Sequence, residues 1–216
     1  MRAKTYRGQD IDVTFEPKRC IHAAECGRRL QAVFDVAQRP WVQPDNATAD
    51  QVQETIDHCP SGALKYVRHN GGPQEQRPAQ NVIIVTKSGE YQLHGDVALV
   101  TMDGETVAEE YRLTLCRCGA SDNKPFCDNS HREARFVAPS EVADNSAETI
   151  GLEPVGKLKV VTATNGPLIL QGNFEIRDGS GHHVFRGEKV ALCRCGDSAN
   201  KPFCDGTHIG AGFSTE

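Results

Sequence analysis

Cys116–His131 reads CRCGASDNKPFCDNSH, and Cys193–His208 reads CRCGDSANKPFCDGTH. Each run offers three thiols and one imidazole at the spacing C-x-C-x8-C-x3-H, which is a metal-site stoichiometry. Thiolates select zinc, copper(I) or iron–sulfur clusters, whereas magnesium and calcium want oxygen. The candidate ligands are therefore Cys116, Cys118, Cys127 and His131 in one run, and Cys193, Cys195, Cys204 and His208 in the other.

Upstream of the ligands the two runs continue to match, without a gap, at a shift of 77 residues. Gly89 maps to Gly166, Leu93 to Leu170, Gly95 to Gly172, Gly104 to Gly181 and Leu115 to Leu192. A whole folding unit was therefore duplicated, not a metal loop alone. The upstream parts read as short strands between glycine turns: VIIVT, YQLHG, VALVT and YRLTL, then LKVVT, LILQG, FEIRD and KVALC. The polar stretch from Ala138 to Pro154 is expected to join the copies.

Within each run, Gly119 or Gly196, placed directly after Cys-x-Cys at a strand end, is expected to open a turn that lets the two thiols converge. Pro125 and Pro202 favour extended backbone before the third Cys. Asp128 and Asp205 are expected as helix N-caps, with His131 and His208 in the first turn that follows. Ser121 and Ser198 could donate to sulfur or serve ordinary turns, and Phe126 and Phe203 are expected to pack over one side of the site.

These residues resemble the CDGSH iron–sulfur family, whose motif is C-x-C-x2-S-x3-P-x-C-D-G-[ST]-H. The second copy matches throughout, and the first departs at Asn129, where the family has Gly. Asn is the mildest replacement if that position needs positive φ. The resemblance implies a 2Fe-2S cluster in each copy, held by three Cys and one His. With a neutral imidazole the oxidised cluster sums to about minus one, against about minus two for four thiolates, so it should accept an electron more readily. Protons compete for the same imidazole nitrogen, so redox state or cluster retention should depend on pH.

The remaining cysteines, Cys20, Cys26 and Cys59, lie in the first third of the chain. Ile11 to Phe15 alternates as a strand, and a helix is expected from about Ala23 to Val33. Thr48 with Gln51 forms a capping box for a helix reaching about His58, and Leu64 to Val67 returns as a strand. RCIHAAEC, RPW and CPSGAL are similar to the divergent mono-cluster ferredoxin domain. Ala23 stands midway between Cys20 and Cys26, where a fourth ligand would be wanted. Its loss favours a 3Fe-4S cluster, or a 4Fe-4S cluster completed by another group. His22 is the nearest candidate, its alternative being a solvent-facing residue at a helix start. Asn70 to Asn81, rich in Gly, Pro and Gln, reads as a linker.

The expected fold is α+β. A small ferredoxin-like domain (1–72) precedes two β-rich CDGSH modules (79–138 and 153–216), each with one short helix, arranged as an intramolecular pseudo-dimer. Hydrophobic residues make up 38% of the 216, which makes a large single core doubtful and metal staples plausible. The net charge of −5 argues against nucleic acid or an anionic membrane. All nine cysteines fall into the three sets, which leaves none for a disulfide framework and suggests a reducing, cytoplasmic setting. No apolar run is long enough to span a membrane, and MRAKTYRGQD has no signal-peptide core.

The resulting expectation is a monomeric, soluble one-electron carrier with two 2Fe-2S clusters and one 3Fe-4S (or 4Fe-4S) cluster, serving a redox partner protein. Delivery of a cluster to an acceptor protein is the alternative. A zinc-binding structural module is a rival from another class. No Ser–His–Asp set, phosphate loop or dinucleotide fingerprint points to an enzyme. His69, His94, His182 and His183 read as surface residues.

Overall fold

The computed structural model describes residues 2–141 and 156–215. The chain divides into two compact units, Met1–Gln76 and Arg77–Glu216.

In the first unit, β1 (Lys4–Tyr6), β2 (Ile11–Phe15) and β3 (Leu64–Arg68) form an antiparallel sheet in that order, with Val13 opposite Tyr66. Helix α2 (Ala49–Asp57) carries the expected capping box at Thr48 and Gln51, and buries Ala49, Val52, Thr55 and Ile56. The helix expected from Ala23 to Val33 is shorter. α1 runs only from Glu25 to Arg29, entered from Ala24 at φ 61° and left at Leu30. Val33 and Phe34 are both buried, and a helix would turn such neighbours about 100° apart. The chain turns instead, pairing Phe34 with Val42 in an isolated bridge. Trp41 then packs edge-on against Phe15, ring centres 4.9 Å apart.

The second unit holds one six-stranded sheet built from both repeats. The first copy supplies β4 (Val82–Val85), β5 (Tyr91–Thr101) and β6 (Thr106–Leu115), followed by the one-turn α3 (Ser130–Glu133). The second supplies β7 (Leu158–Thr162), β8 (Leu168–Asp178) and β9 (His183–Leu192), followed by a 3₁₀ turn at Thr207–Ile209. The middle two strand runs expected in each copy are one long strand, β5 or β8, whose register breaks between His94 and Val97 or between Gln171 and Phe174.

That break lets each long strand serve two short ones. Tyr91–His94 pairs antiparallel with β4, whereas Val97–Thr101 pairs parallel with β7 of the other copy. Leu168–Gln171 pairs antiparallel with β7, and Glu175–Asp178 pairs parallel with β4. The pairing follows the repeat: Leu99 opposite Val160 mirrors Ile176 opposite Ile83. The core follows too, since Ile83, Tyr91, Leu99, Leu115, Val160, Leu170, Phe174 and Leu192 belong to one buried cluster.

Two sequence readings need correction here. Asn81, taken as the end of a linker, is 1% exposed. Its Nδ2 donates to the carbonyls of Gly156 (3.0 Å) and Asn173 (2.9 Å), and its Oδ1 accepts from the Asp96 amide (3.0 Å). Gly95 leaves space for it, because a Cβ there would collide with Asn81 Oδ1. His94, taken as a surface residue, is half-buried on β5. Burial and then the Arg112 charge hold its imidazole below the ordinary range. His69 and His182 are exposed as expected, and the side chain of His183 lies outside the described residues. Of the joining stretch, Ala138 packs against the first copy through Ser88, while residues 142–154 lie outside the described residues. No helix among the described residues is long and apolar enough to cross a membrane.

Asn81 ties strands of both copies at the bends. Asn81→Ala should therefore cost about 2–3 kcal/mol, read from the urea midpoint, because buried polar groups lose their partners. A loss under about 0.5 kcal/mol, the size of an ordinary surface substitution, would remove Asn81 from that role.

Candidate metal centres

Each ligand run is folded back on the strand that precedes it. The Cys116 amide donates to the Pro125 carbonyl (2.9 Å) and the Cys127 amide to that of Thr114 (3.1 Å), so the third Cys returns beside the first. The second copy repeats this with Cys193 to Pro202 and Cys204 to Ala191, each at 2.8 Å. The peptides before Pro125 and Pro202 are both cis. Gly119 and Gly196 open the turn at φ 78° and 91°, and the thiols converge as expected. Cys116 and Cys118 Sγ lie 3.8 Å apart, and Cys193 and Cys195 Sγ 3.7 Å.

Asp128 and Asp205 act differently from the caps expected of them. The residues capping the helical turns are Asn129 and Gly206, at φ 75° and 87°. Positive φ at both is the reason Asn can stand for Gly. Asp128 clamps the loop: Oδ1 accepts from the Ser130 amide (3.0 Å) and Oδ2 from the Asp122 amide (2.8 Å). Asp205 does the same with Thr207 and Ala199. The Ser121 and Ser198 hydroxyls donate to the Phe126 and Phe203 carbonyls, both at 2.7 Å, so they staple the loop instead of reaching sulfur.

The clamp sets His131 Nδ1 3.6 Å from Cys127 Sγ and His208 Nδ1 3.4 Å from Cys204 Sγ. Two thiolates sharing a tetrahedral ion at about 2.3 Å per bond would lie about 3.8 Å apart. Each copy thus presents two ligand pairs at bite distance. Among the described residues, the only three metal-type side chains whose ligand atoms all fall within 4.8 Å are Glu90, Cys127 and His131. The four candidate ligands of a copy are thus presented as two pairs. Amides of Ala120 and Asn129 point at Cys118 and Cys127 Sγ, each at 3.4 Å. Without metal the thiols hold protons unevenly. The hydrogen bond from Cys118 draws Cys116 down to about 6, against burial, while burial pushes Cys127 up to about 12 and Cys195 up to about 11. Metal binding must displace those protons.

The charge around the sites also fits an anionic group. Arg117, between the two paired thiols, is 1% exposed. It donates to the carbonyls of Thr86 and Pro139 and lies over the Tyr91 and Phe136 rings, and its Nε has no hydrogen-bond partner among the described residues. Arg194 is its repeat counterpart, 3% exposed, bonded to the Gly166 and Ala163 carbonyls and lying over Phe213. Burial pulls its guanidinium down to about 10, and the charge on Cys116 opposes that. Buried cations held only by neutral acceptors are costly unless negative charge lies near. Thiolates with bridging sulfides would supply it.

The two ligand loops meet. A Cβ on Gly119 would fall 2.5 Å from the Cys195 carbonyl oxygen, and one on Gly196 would fall 2.7 Å from that of Cys118. Tyr91 of the first copy also reaches the second loop, its hydroxyl donating to the carbonyls of Cys193 (2.8 Å) and Pro202 (3.0 Å). The repeat places Leu168 at that position, which can make no such bond.

In the first unit Cys20, Cys26 and Cys59 line one cavity together with Ala23, Trp41 and Ser61. Cys20 follows a 3₁₀ turn, Cys26 sits in α1 and Cys59 ends the turn after α2. Burial raises the Cys20 and Cys26 thiols, and the Cys59 charge adds to both. His22 is exposed at φ 52°, and its amide donates to Cys20 Sγ at 3.4 Å. Glu90 was missed by the sequence reading. Its only signal is that the second copy has Pro167 at the matching position.

Comparison with known proteins finds family likenesses for the segments that carry these residues. A family described as a divergent 4Fe-4S mono-cluster matches residues 6–69. One described as an iron-binding zinc finger of CDGSH type matches twice, over 88–132 and 165–209. The uncharacterized protein YjdI of Escherichia coli K12 is 42% identical over 66 residues, covering 31% of this chain and 86% of YjdI. YjdI of Escherichia coli O157:H7 matches to the same extent. No solved structure matches.

Gly119 and Gly104 both have positive φ, but a Cβ at Gly104 meets nothing within 4 Å. Gly104→Ala should cost about 1–2 kcal/mol of left-handed strain and leave bound metal unchanged. Gly119→Ala should cost clearly more and lower the metal content, because the Cys195 backbone has to move. Equal losses in denaturant midpoint and metal analysis would show that the loops do not need to abut.

Proposed function

Since the chain belongs to the CDGSH iron–sulfur family, with a divergent mono-cluster domain ahead of two modules, we propose that it carries single electrons between redox partner proteins. Cys116, Cys118, Cys127 and His131 would hold one 2Fe-2S cluster, and Cys193, Cys195, Cys204 and His208 a second. Cys20, Cys26 and Cys59 would hold the third, with 3Fe-4S favoured because Ala23 offers no ligand. Such clusters supply reversible one-electron chemistry. The protein's part is to hold charge and exclude water. Arg117 and Arg194 offset negative charge, backbone amides point at the sulfurs, and the Asp clamps fix the histidines.

The contact between the ligand loops carries this reading. Gly119 against Cys195, and Gly196 against Cys118, bring the two sites together inside one rigid sheet. Independent structural ions would have no use for that approach, whereas a pair exchanging electrons does. The exchanged pairing of β4 with β8 and of β5 with β7 further supports an intramolecular pseudo-dimer, with the two modules related by an internal twofold axis.

Anaerobically purified protein should contain iron and acid-labile sulfide and take up electrons reversibly in a mediator titration. Stoichiometric zinc in colourless protein would overturn the reading. Replacing Cys20, Cys26 and Cys59 together by Ala should abolish one set of paramagnetic resonance signals and spare those of both modules. A variant that keeps every signal of the wild type would exclude a cluster at the first site.

A further inference from the structure

The two modules share a backbone plan, so a difference beside the ligands marks a place where they diverge in behaviour. At the start of the long strand the first copy has Glu90 and the second has Pro167. Glu90 is 8% exposed, and its Oε1 is held by Gln92 Nε2 at 2.8 Å. Its Oε2 lies 3.9 Å from His131 Nε2, too far for a direct hydrogen bond but within ion-pair range. Because Nδ1 of His131 faces Cys127, Nε2 is the nitrogen left to meet the carboxylate. His208 has no such neighbour at the matching position: Pro167 carries no charge, and the adjacent Gly166 is the backbone beside its Nε2. His131 is buried and His208 half-buried.

We infer that Glu90 sets the two modules at different reduction potentials, the first below the second, so that the first electron taken by the pair rests in the second module. The inference rests on the iron–sulfur reading above. Reduction adds one electron, delivered by a one-electron donor protein, and converts one ferric ion to ferrous without making or breaking a bond. A negative charge held in a poorly hydrated position beside that site penalises the reduced form, and low local polarity strengthens the penalty. Arg132 acts in the opposite sense, but its side chain is exposed and its field is screened by water and salt. Asp128 and Asp205 stand at matching positions and so cancel in the comparison. Glu90 is a positioning residue for charge. It need not touch the metal to act.

The test is an anaerobic mediator titration of the full chain, followed by paramagnetic resonance. In the wild type the two module signals should grow in separate waves, at least tenfold apart in electron affinity, or about 59 mV for one electron. Glu90→Gln keeps the shape and removes the charge, so the lower wave should rise towards the upper. Glu90→Asp should keep the waves apart. Pro167→Glu places a carboxylate in the second module and should lower the upper wave, and this variant decides the matter if Glu90→Gln fails to retain its cluster. A single wave in the wild type, or two waves left in place by Glu90→Gln, would overturn the assignment to Glu90. Protein with no iron and sulfide would instead overturn the underlying iron–sulfur reading.

Discussion

A strand that has to serve two partners governs the second unit. β5 and β8 each pair with a short strand of their own copy over the first half and with that of the other copy over the second. The register breaks at Gly95–Asp96 and Gly172–Asn173 make this possible, and Asn81 spans them with three hydrogen bonds. Neither copy can fill a core alone, because buried side chains from both lie in one cluster. Sharing the sheet also fixes where its far ends lie. The Cys-x-Cys turns at the ends of β6 and β9 are brought against each other.

Charge is the second constraint. The same short loops bury a guanidinium between each pair of thiols and surround it, among the described residues, with backbone carbonyls and aromatic rings. Such an arrangement is unfavourable in isolation and becomes favourable next to anionic sulfur. An anionic cluster bound there would therefore stabilise the packing of each loop through Arg117 or Arg194. The loops themselves are ordered by neutral hydrogen bonds, from Ser121, Ser198 and the backbone, and by the two Asp clamps.

Within this symmetry two differences fall at one place. Tyr91 reaches across to the second ligand loop, and Leu168 cannot reach back. Glu90 lies beside His131, and Pro167 puts no carboxylate at the matching position of the second copy. Both differences sit at the start of the long strand, where a side chain lies close to a ligand loop without disturbing strand pairing. The two sites are alike in ligands and unlike in what stands at this strand end.

The sequence by itself determined the ligand types, their spacing, the duplication and the capping box of α2. Each is a local property: thiols two residues apart, a cap three residues from its partner, a match at constant shift. The metal loops were accordingly legible down to the positive φ shared by Asn129 and Gly206. Readings that assumed local periodicity failed where tertiary packing intervened. The helix after Ala23 stops at Arg29 because adjacent Val33 and Phe34 must both be buried, and Asn81 is buried because strands from both copies close around it. Only the tertiary structure decided which strand pairs with which, that the ligand loops meet, and that Glu90 stands beside His131. These contacts join residues far apart in the chain, and nothing in local spacing encodes a partner that arrives only when the sheet closes.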